Sequence, residues 1–200
     1  SKNKIKLVWE GRAENLVNLK LFKPVLDRLI ERYNIELHII SDLSFPKLNG
    51  LNFSSIKLLK KIFGSLYQEN TTQKKSYIFF HQWNKDFVSN ILKSCDLAIV
   101  PLDVNNKFLF GKSMNKVILM WKNNLPTVSS NIDSYQKLSD EINHNFCCSN
   151  TNQWVETISK HIEDSECREM YARKINNFVT TNYSKERFVK QWDDIFSTVL

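Results

Sequence analysis

Short apolar runs alternate along this chain with longer stretches in which apolar residues return at helical spacing. Ile5-Lys-Leu-Val-Trp9 is apolar and ends at Glu10-Gly11-Arg12, which predicts a strand leaving through a glycine turn. Leu16, Leu19, Phe22, Val25, Leu26, Leu29 and Ile30 then recur every three or four positions and predict a helix with one buried stripe. Pro24 inside it should kink the helix or mark a restart, because proline lacks the amide and crowds the preceding turn. Ile35-Glu-Leu-His-Ile-Ile40 reads as a second strand ending at Ser41-Asp42. Strand, helix and strand in this order predict a right-handed parallel crossover.

The rhythm continues. Ser76-Tyr-Ile-Phe-Phe80 predicts a strand, His81-Gln-Trp83 a loop, residues 84–94 a helix, and Asp96-Leu-Ala-Ile-Val-Pro101 a strand closed by proline. A polar loop leads to Gly111-Lys112-Ser113-Met-Asn115-Lys116, which opens an apolar helix stopping at Leu125-Pro126, and Pro126-Thr-Val-Ser129 reads as the next strand. Asn145-Phe-Cys-Cys148 predicts a last short strand. Residues 151–200 read as a helical C-terminal extension. Its first helix has Thr151 as candidate N-cap and Val155, Ile158 and Ile162 on one face; two more follow over 165–180 and 184–199. Residues 43–75 are the least regular, although 55–67 predict a basic amphipathic helix. Ile56, Leu59, Phe63 and Leu66 share one face there, with Lys57, Lys60 and Lys61 outside it, a pattern that suits packing on the domain or contact with a membrane surface. There is no internal repeat and no linker, so the expectation is one domain over 1–200. Its class is α/β, a Rossmann-like parallel sheet flanked by helices with extra C-terminal helices.

Composition narrows the setting. A chain of 200 residues, 42% of them hydrophobic, suffices for a real core. No apolar run approaches the roughly 20 residues that span a bilayer, and Ser1-Lys-Asn-Lys4 lacks the apolar segment of a signal peptide. Cys95, Cys147, Cys148 and Cys167 form neither a zinc pattern nor a secreted disulfide framework, so no metal is expected and a cytoplasmic setting fits, extending to the inner face of the membrane. The net charge of +7 is compatible with nucleic acid, anionic lipid or a phosphorylated ligand. Because the lysines are scattered over helix faces rather than gathered in a stripe, no nucleic-acid partner is expected.

In open parallel sheets ligands bind beyond the carboxyl ends of the strands. Here those ends are Glu10-Gly11-Arg12, Ser41-Asp42, His81-Gln-Trp83 and the loop from Pro101 to Lys112. A helix beginning near Ser113 offers unsatisfied amides and partial positive charge to a phosphate, with Arg12, Lys112 and Lys116 as nearby cations. A lysine about 4 Å from a phosphate oxygen adds roughly 4 kcal/mol of gross attraction at an effective dielectric near 20. Each residue also has a plain structural reading. Gly11 serves a turn, Ser113 an N-cap, Lys116 a solvated helix face, His81 the fold, and Trp83 the core or a flat ring stacked on it. Gly111-Lys112-Ser113 is not a P-loop, since the earlier glycine at the four-residue spacing is absent. No nucleophile, base and acid set emerges, so no catalytic residue is named.

The whole pattern resembles the C-terminal, donor-binding domain of GT-B glycosyltransferases, in particular the retaining glycosyl transferases group 1. The family's Gly-Arg after the first strand resembles Gly11-Arg12, and its "D-hydrophobic-P" strand resembles Asp96 to Pro101. Its Ser-x-Asn-Lys helix start followed by Leu-Pro-Val-Val-x-Ser resembles Ser113-Met-Asn115-Lys116 and Leu125-Pro126-Thr-Val-Ser-Ser130, and its tail resembles Tyr183-Ser184 and Trp192. The resemblance implies one half of a GT-B fold, a nucleotide-diphosphate sugar as donor, a glycan or lipid-linked acceptor, and an N-terminal Rossmann-like domain outside this chain. It requires no metal or other cofactor. Gly11, Arg12, Asn15, His81, Trp83, Lys112, Ser113, Asn115 and Lys116 are the implied donor-binding set. Arg12 and Lys116 would contact the pyrophosphate, Lys112, Ser113 and Asn115 would shape the anion loop, and His81 to Trp83 would border the nucleobase. The family's paired glutamates would fall at Gly111 and Leu119, neither of which carries a carboxylate, and its small residue before Leu-Pro is Asn124. Glu10, Glu14 or Asp42 are left to serve the donor, or donor use is altered or lost. Two readings follow: the donor half of a hexosyltransferase-type enzyme, inactive by itself, and a non-catalytic nucleotide- or phosphate-binding module of the same fold.

Overall fold

Every strand of the main sheet runs parallel to its neighbours, and the helices that connect them are sorted onto its two faces. The computed structural model describes residues 4–46, 52–67, 77–106 and 112–199. In chain order the elements are β1 (Ile5–Glu10), α1 (Leu19–Ile30), β2 (Ile35–Ser41), β3 (Ser44–Pro46), β4 (Asn52–Ser54), α2 (Ser55–Phe63) and β5 (Ile78–Gln82). They continue with α3 (Val88–Lys93), β6 (Leu97–Val100), α4 (Asn115–Lys122), β7 (Thr127–Ser130), α5 (Asp133–Glu141), β8 (Cys147–Cys148), α6 (Thr151–Glu163), α7 (Ser165–Asn182) and α8 (Lys185–Val199). The six-stranded sheet has the order β5-β2-β1-β6-β7-β8, while β3 and β4 pair as a separate antiparallel hairpin.

The alternation within each strand builds two cores. Leu7, Trp9, Leu37, Ile39 and Ile99 face α1, α2 and α6, meeting Phe22, Leu26, Leu59, Phe63 and Ile158. Val8, Ile40, Ala98 and Val100 face the other way, against Leu92, Val117, Trp121, Tyr135, Tyr171 and Ile175. Asp96 joins the central strands, accepting from the Lys6 amide at 2.8 Å while its own amide donates to the Lys6 carbonyl at 2.9 Å. The apolar side of α2 is spent on the core: Leu58, Leu59, Ile62 and Phe63 are buried and Lys57, Lys60 and Lys61 are exposed. Both α6 and α7 contribute to the cores, whereas α8 is exposed along its described length.

Several elements differ from expectation, each for a local reason. The first helix is divided into a 3₁₀ segment over Ala13–Asn18 and α1, so the break comes at Leu19 and Pro24 lies inside the helix. The helix expected over 84–94 begins only at Val88, because the Asn84 side chain takes the Asp86 amide at 2.8 Å and holds a turn instead. His81 and Gln82 are strand, not loop, paired with Ile40 and Ser41 of β2. At α4 the residue before the helix is Met114, with no side-chain cap, so Ser113 is not the N-cap. Asn150, not Thr151, caps α6 by accepting from the Gln153 amide at 3.0 Å, and Gln153 reciprocates by taking the Ser149 amide at 2.7 Å. Asn124 has φ of 57°, a left-handed conformation at the end of α4 that glycine or asparagine tolerates best. Gly111 and Ser76 lie outside the described residues.

Beneath α7, His144 stacks on Tyr171 with ring centroids 3.9 Å apart, and His161 lies 5.6 Å from His144. Burial drives both imidazoles down to about 4, reinforced by Lys174 and Lys160 at His144 and by His144 and Lys160 at His161. An unfolded histidine titrates near 6.5, so between about 4 and 6.5 the unfolded chain binds more protons than the folded one. Stability is therefore expected to fall as pH drops from about 6.5 towards 4. Urea unfolding should show a lower midpoint at pH 5 than at pH 7.5, and His161→Gln should flatten that dependence. An equal midpoint at the two pH values would contradict the burial argument.

Candidate functional site

From β1 the chain builds outward through β2 to β5, then crosses back to place β6 on the opposite side of β1. At such a reversal the connections leave in opposite directions and open a crevice beyond the carboxyl ends. A cavity of about 230 Å³ lies there, walled by Trp9 to Arg12 after β1, by Val100 to Leu102 after β6, and by Lys112 and Lys116 at the start of α4. Asn15 and Asn18 of the 3₁₀ segment complete it.

Both rims are tied to a neighbouring strand by a serine hydroxyl. Ser41 Oγ donates to the Gly11 carbonyl at 2.7 Å, and the Gly11 amide donates to Ile40 O at 3.1 Å. Ser130 Oγ takes the Leu102 amide at 2.8 Å and donates to the Leu102 carbonyl at 3.0 Å. Gly11 is required by space rather than by a left-handed turn. A Cβ there would lie 2.8 Å from two carbons of the Trp9 ring, which is itself buried.

The charges at the cavity are partly paired. Lys116 Nζ donates to Glu10 Oε2; the lysine side chain is 27% exposed and the glutamate 9%. Arg12 bonds Glu14 at 2.8 Å, yet its side chain is 81% exposed and free to swing towards a ligand. Lys112 is half-buried on the opposite rim, and no partner for it occurs among the described residues. Three cations thus converge where two strands end, with Glu10 as the one carboxylate lining the cavity.

Of the candidate set, Gly11, Arg12, Asn15, Lys112 and Lys116 line this cavity. Ser113 is exposed and does not line it, and Asn115 faces a second, larger groove. His81 and Trp83 also stand apart, because β2 lies between β5 and β1. His81 Nε2 meets His38 Nδ1 at 2.9 Å with the rings stacked, and burial lowers the pKa of both; Glu36 and Lys4 continue the row. Trp83 is 44% exposed at the sheet edge, its amide on Ser41 O. Leu119, at one of the positions of the family's glutamates, is exposed on the outer side of α4. Trp9, Asn18 and the two serines were not among the candidates. Trp9 is legible only as a core strand residue, and a hydroxyl that fastens a loop leaves no signal beyond its place at a strand end.

Among the described residues no group of three or more His, Cys, Asp or Glu side chains is placed to hold a metal ion. All four cysteines are free and buried, and burial pushes Cys95, Cys147 and Cys148 up to about 11, which leaves them inert as nucleophiles.

No protein-family model matches the chain, and no match is found among curated proteins. Solved structures do share its fold. WaaG, a glycosyltransferase involved in lipopolysaccharide biosynthesis, aligns with a TM-score of 0.62 at 14% identity over 90% of this chain and 44% of its own. A mutant TarM from S. aureus, in complex with Fondaparinux, alpha-GlcNAc-glycerol and UDP, aligns at 0.64 and 12% identity over 98% of this chain and 36% of its own. A trehalose-6-phosphate protein from E. coli bound with UDP-2-fluoro glucose aligns at 0.63 and 12% identity, over 98% and 44%. The fold this chain shares with them is the Rossmann-like fold of a GT-B half, consistent with the C-terminal one. The chain spans less than half the length of each of those three proteins.

Gly11→Ala should destabilise the protein by about 1–3 kcal/mol through overpacking against Trp9. Urea denaturation measures this, and an unchanged midpoint would show that the ring yields freely.

Proposed function

We propose that this chain is the nucleotide-sugar-binding half of a glycosyltransferase that transfers a sugar to a glycan or lipid-linked acceptor. The observation that carries this reading is the convergence of Arg12, Lys112 and Lys116 on the cavity where the strand order reverses. A diphosphate in that cavity meets the cations and the uncapped first turn of α4. As the bond to the sugar breaks, negative charge grows on the departing diphosphate, and these groups stabilise it without a metal ion. Glu10, fixed by Lys116, is placed to accept hydrogen bonds from ribose or sugar hydroxyls in the absence of a carboxylate at Leu119.

At about 230 Å³ the cavity falls short of the roughly 300–1,000 Å³ usual for small-molecule sites. It suits a diphosphate, with the rest of the donor enclosed by a second Rossmann-like half that brings the acceptor and catalytic groups. Alone, this half is inactive. The similar structures described with UDP and UDP-2-fluoro glucose make UDP the first nucleotide to test. The same reading puts the enzyme in the cytoplasm or at the inner face of the membrane; among the described residues no helix is long and apolar enough to cross a membrane. A second reading, a non-catalytic phosphate- or nucleotide-binding module, is favoured by Gly111 and Leu119, which carry no carboxylate at the positions of the family's glutamates.

UDP should raise the melting temperature of the full-length protein, since ligand at 100 times Kd adds about 2.7 kcal/mol. Arg12→Ala should weaken the effect. Lys116→Ala should abolish it, because it removes a cation and leaves the Glu10 charge uncompensated. Glu10→Gln should keep UDP binding while losing the extra affinity for a UDP-sugar over UDP. A melting temperature indifferent to every nucleoside diphosphate would refute the reading.

A further inference from the structure

The largest cavity among those described, about 720 Å³, lies elsewhere, between α4 and the junction of α7 with α8. Lys122, Lys185 and Arg187 border it, opposed by one carboxylate, Glu141. None of these four is in an ion pair among the described residues, unlike Lys116 and Arg12 in the smaller cavity. Arg187 is held in position by Asn182 Oδ1 at 2.9 Å. The remaining lining is of another kind: the carboxamides of Asn115 and Gln191 and the rings of Phe178, Tyr183 and Phe188, while the Asn182 carboxamide is engaged by Arg187 and by the Phe178 carbonyl, the latter at 3.0 Å.

This mixture is informative. Cations alone suit any anion, but amide side chains pair with successive hydroxyl groups, each offering a donor and an acceptor, and ring faces pack on the apolar faces of pyranoses. The three unpaired cations leave the wall net positive, so it attracts an anionic ligand, while Glu141 favours hydroxyl groups rather than a further anion beside it. Position adds to this. Asn115 lines the groove while the next residue, Lys116, lines the 230 Å³ cavity, so the two spaces flank the first turn of α4.

We propose that the groove between α4 and α8 binds an anionic saccharide chain, one bearing carboxylate or phosphate substituents, and so delivers the acceptor beside the donor cavity. The acceptor role rests on the proposed function; saccharide binding does not. A chain in the groove lays its charges on Lys122, Lys185 and Arg187 and its hydroxyls on Asn115, Gln191 and Glu141. Its end then approaches the cavity past Asn115.

Hydrogen–deuterium exchange on the full-length protein tests this with three probes: tetragalacturonate, phosphorylated maltotetraose and neutral maltotetraose. At least one of the anionic probes should slow exchange in residues 115–122 and 178–191, with little effect from maltotetraose. Lys122→Glu/Lys185→Glu should weaken that binding about 10-fold or more, and Lys122→Arg/Lys185→Arg should restore it, separating charge from folding. Inaction of both anionic probes, equal binding of the neutral one, or full binding by the Glu variant would overturn the proposal. So would complete protection of these residues before any saccharide is added, which would show the groove filled by another part of the molecule. UDP is added in a parallel arm and read at residues 9–12. Saccharide protection without a UDP effect would retain the groove and remove the donor reading, and the converse would remove only the groove.

Discussion

Two serine hydroxyls at strand ends fix what the site depends on, the spacing of the loops after β1 and β6. Ser41 reaches from β2 to the Gly11 carbonyl, and Ser130 reaches from β7 to both backbone groups of Leu102. A loop bonded only to solvent would wander by more than a hydrogen-bond length, and cations carried on it would lose the convergence on which anion binding relies. Trp9 strengthens the same arrangement from below, since its ring occupies the space that any side chain at position 11 would need.

The electrostatics follow from that geometry. Lys116 stays at the cavity because Glu10, the last residue of β1 and almost fully covered, holds it there. The pair leaves a cation ready on one side and a carboxylate on the other, a combination matched to a ligand with phosphate at one end and hydroxyls at the other. Arg12 is the exposed partner, its side chain bonded to Glu14. On the proposed reading, a cavity of this size and sidedness is half a site. The rings of Phe188, Trp192 and Phe196 along α8 are likewise left exposed by the described residues.

What was legible in the sequence follows from how strongly each segment declares its burial. The strands β1, β2 and β6 are rich in apolar residues because helices cover both faces, β7 is marked by its place after Leu125-Pro126 although only Val128 in it is apolar, and α1, α2, α6 and α8 carry clear stripes. The helix α5 escaped because Tyr135 and Leu138 are its only large buried side chains in an otherwise polar run. The hairpin of β3 and β4 escaped because three-residue strands have too few positions to show alternation. At β5, polar His81 and Gln82 imitate a loop, yet pairing with β2 extends the strand through them. In the site, Gly11, Arg12, Lys112 and Lys116 were findable because each adjoins a strand end or helix start. Asn115 shares their motif but not their cavity, because one residue along a helix turns the side chain by about 100°. His81 lies within β5 and Trp83 just beyond it, and the strand order, which the sequence does not state, sets both one strand too far away.

The most direct test of the account is a crystal structure of the full-length protein with UDP bound. The account predicts density for the diphosphate between the carboxyl ends of β1 and β6, with phosphate oxygens within hydrogen-bond distance of Lys116 and Arg12. Phosphate density in the groove between α4 and α8, or at the His38 and His81 edge of the sheet, would contradict it.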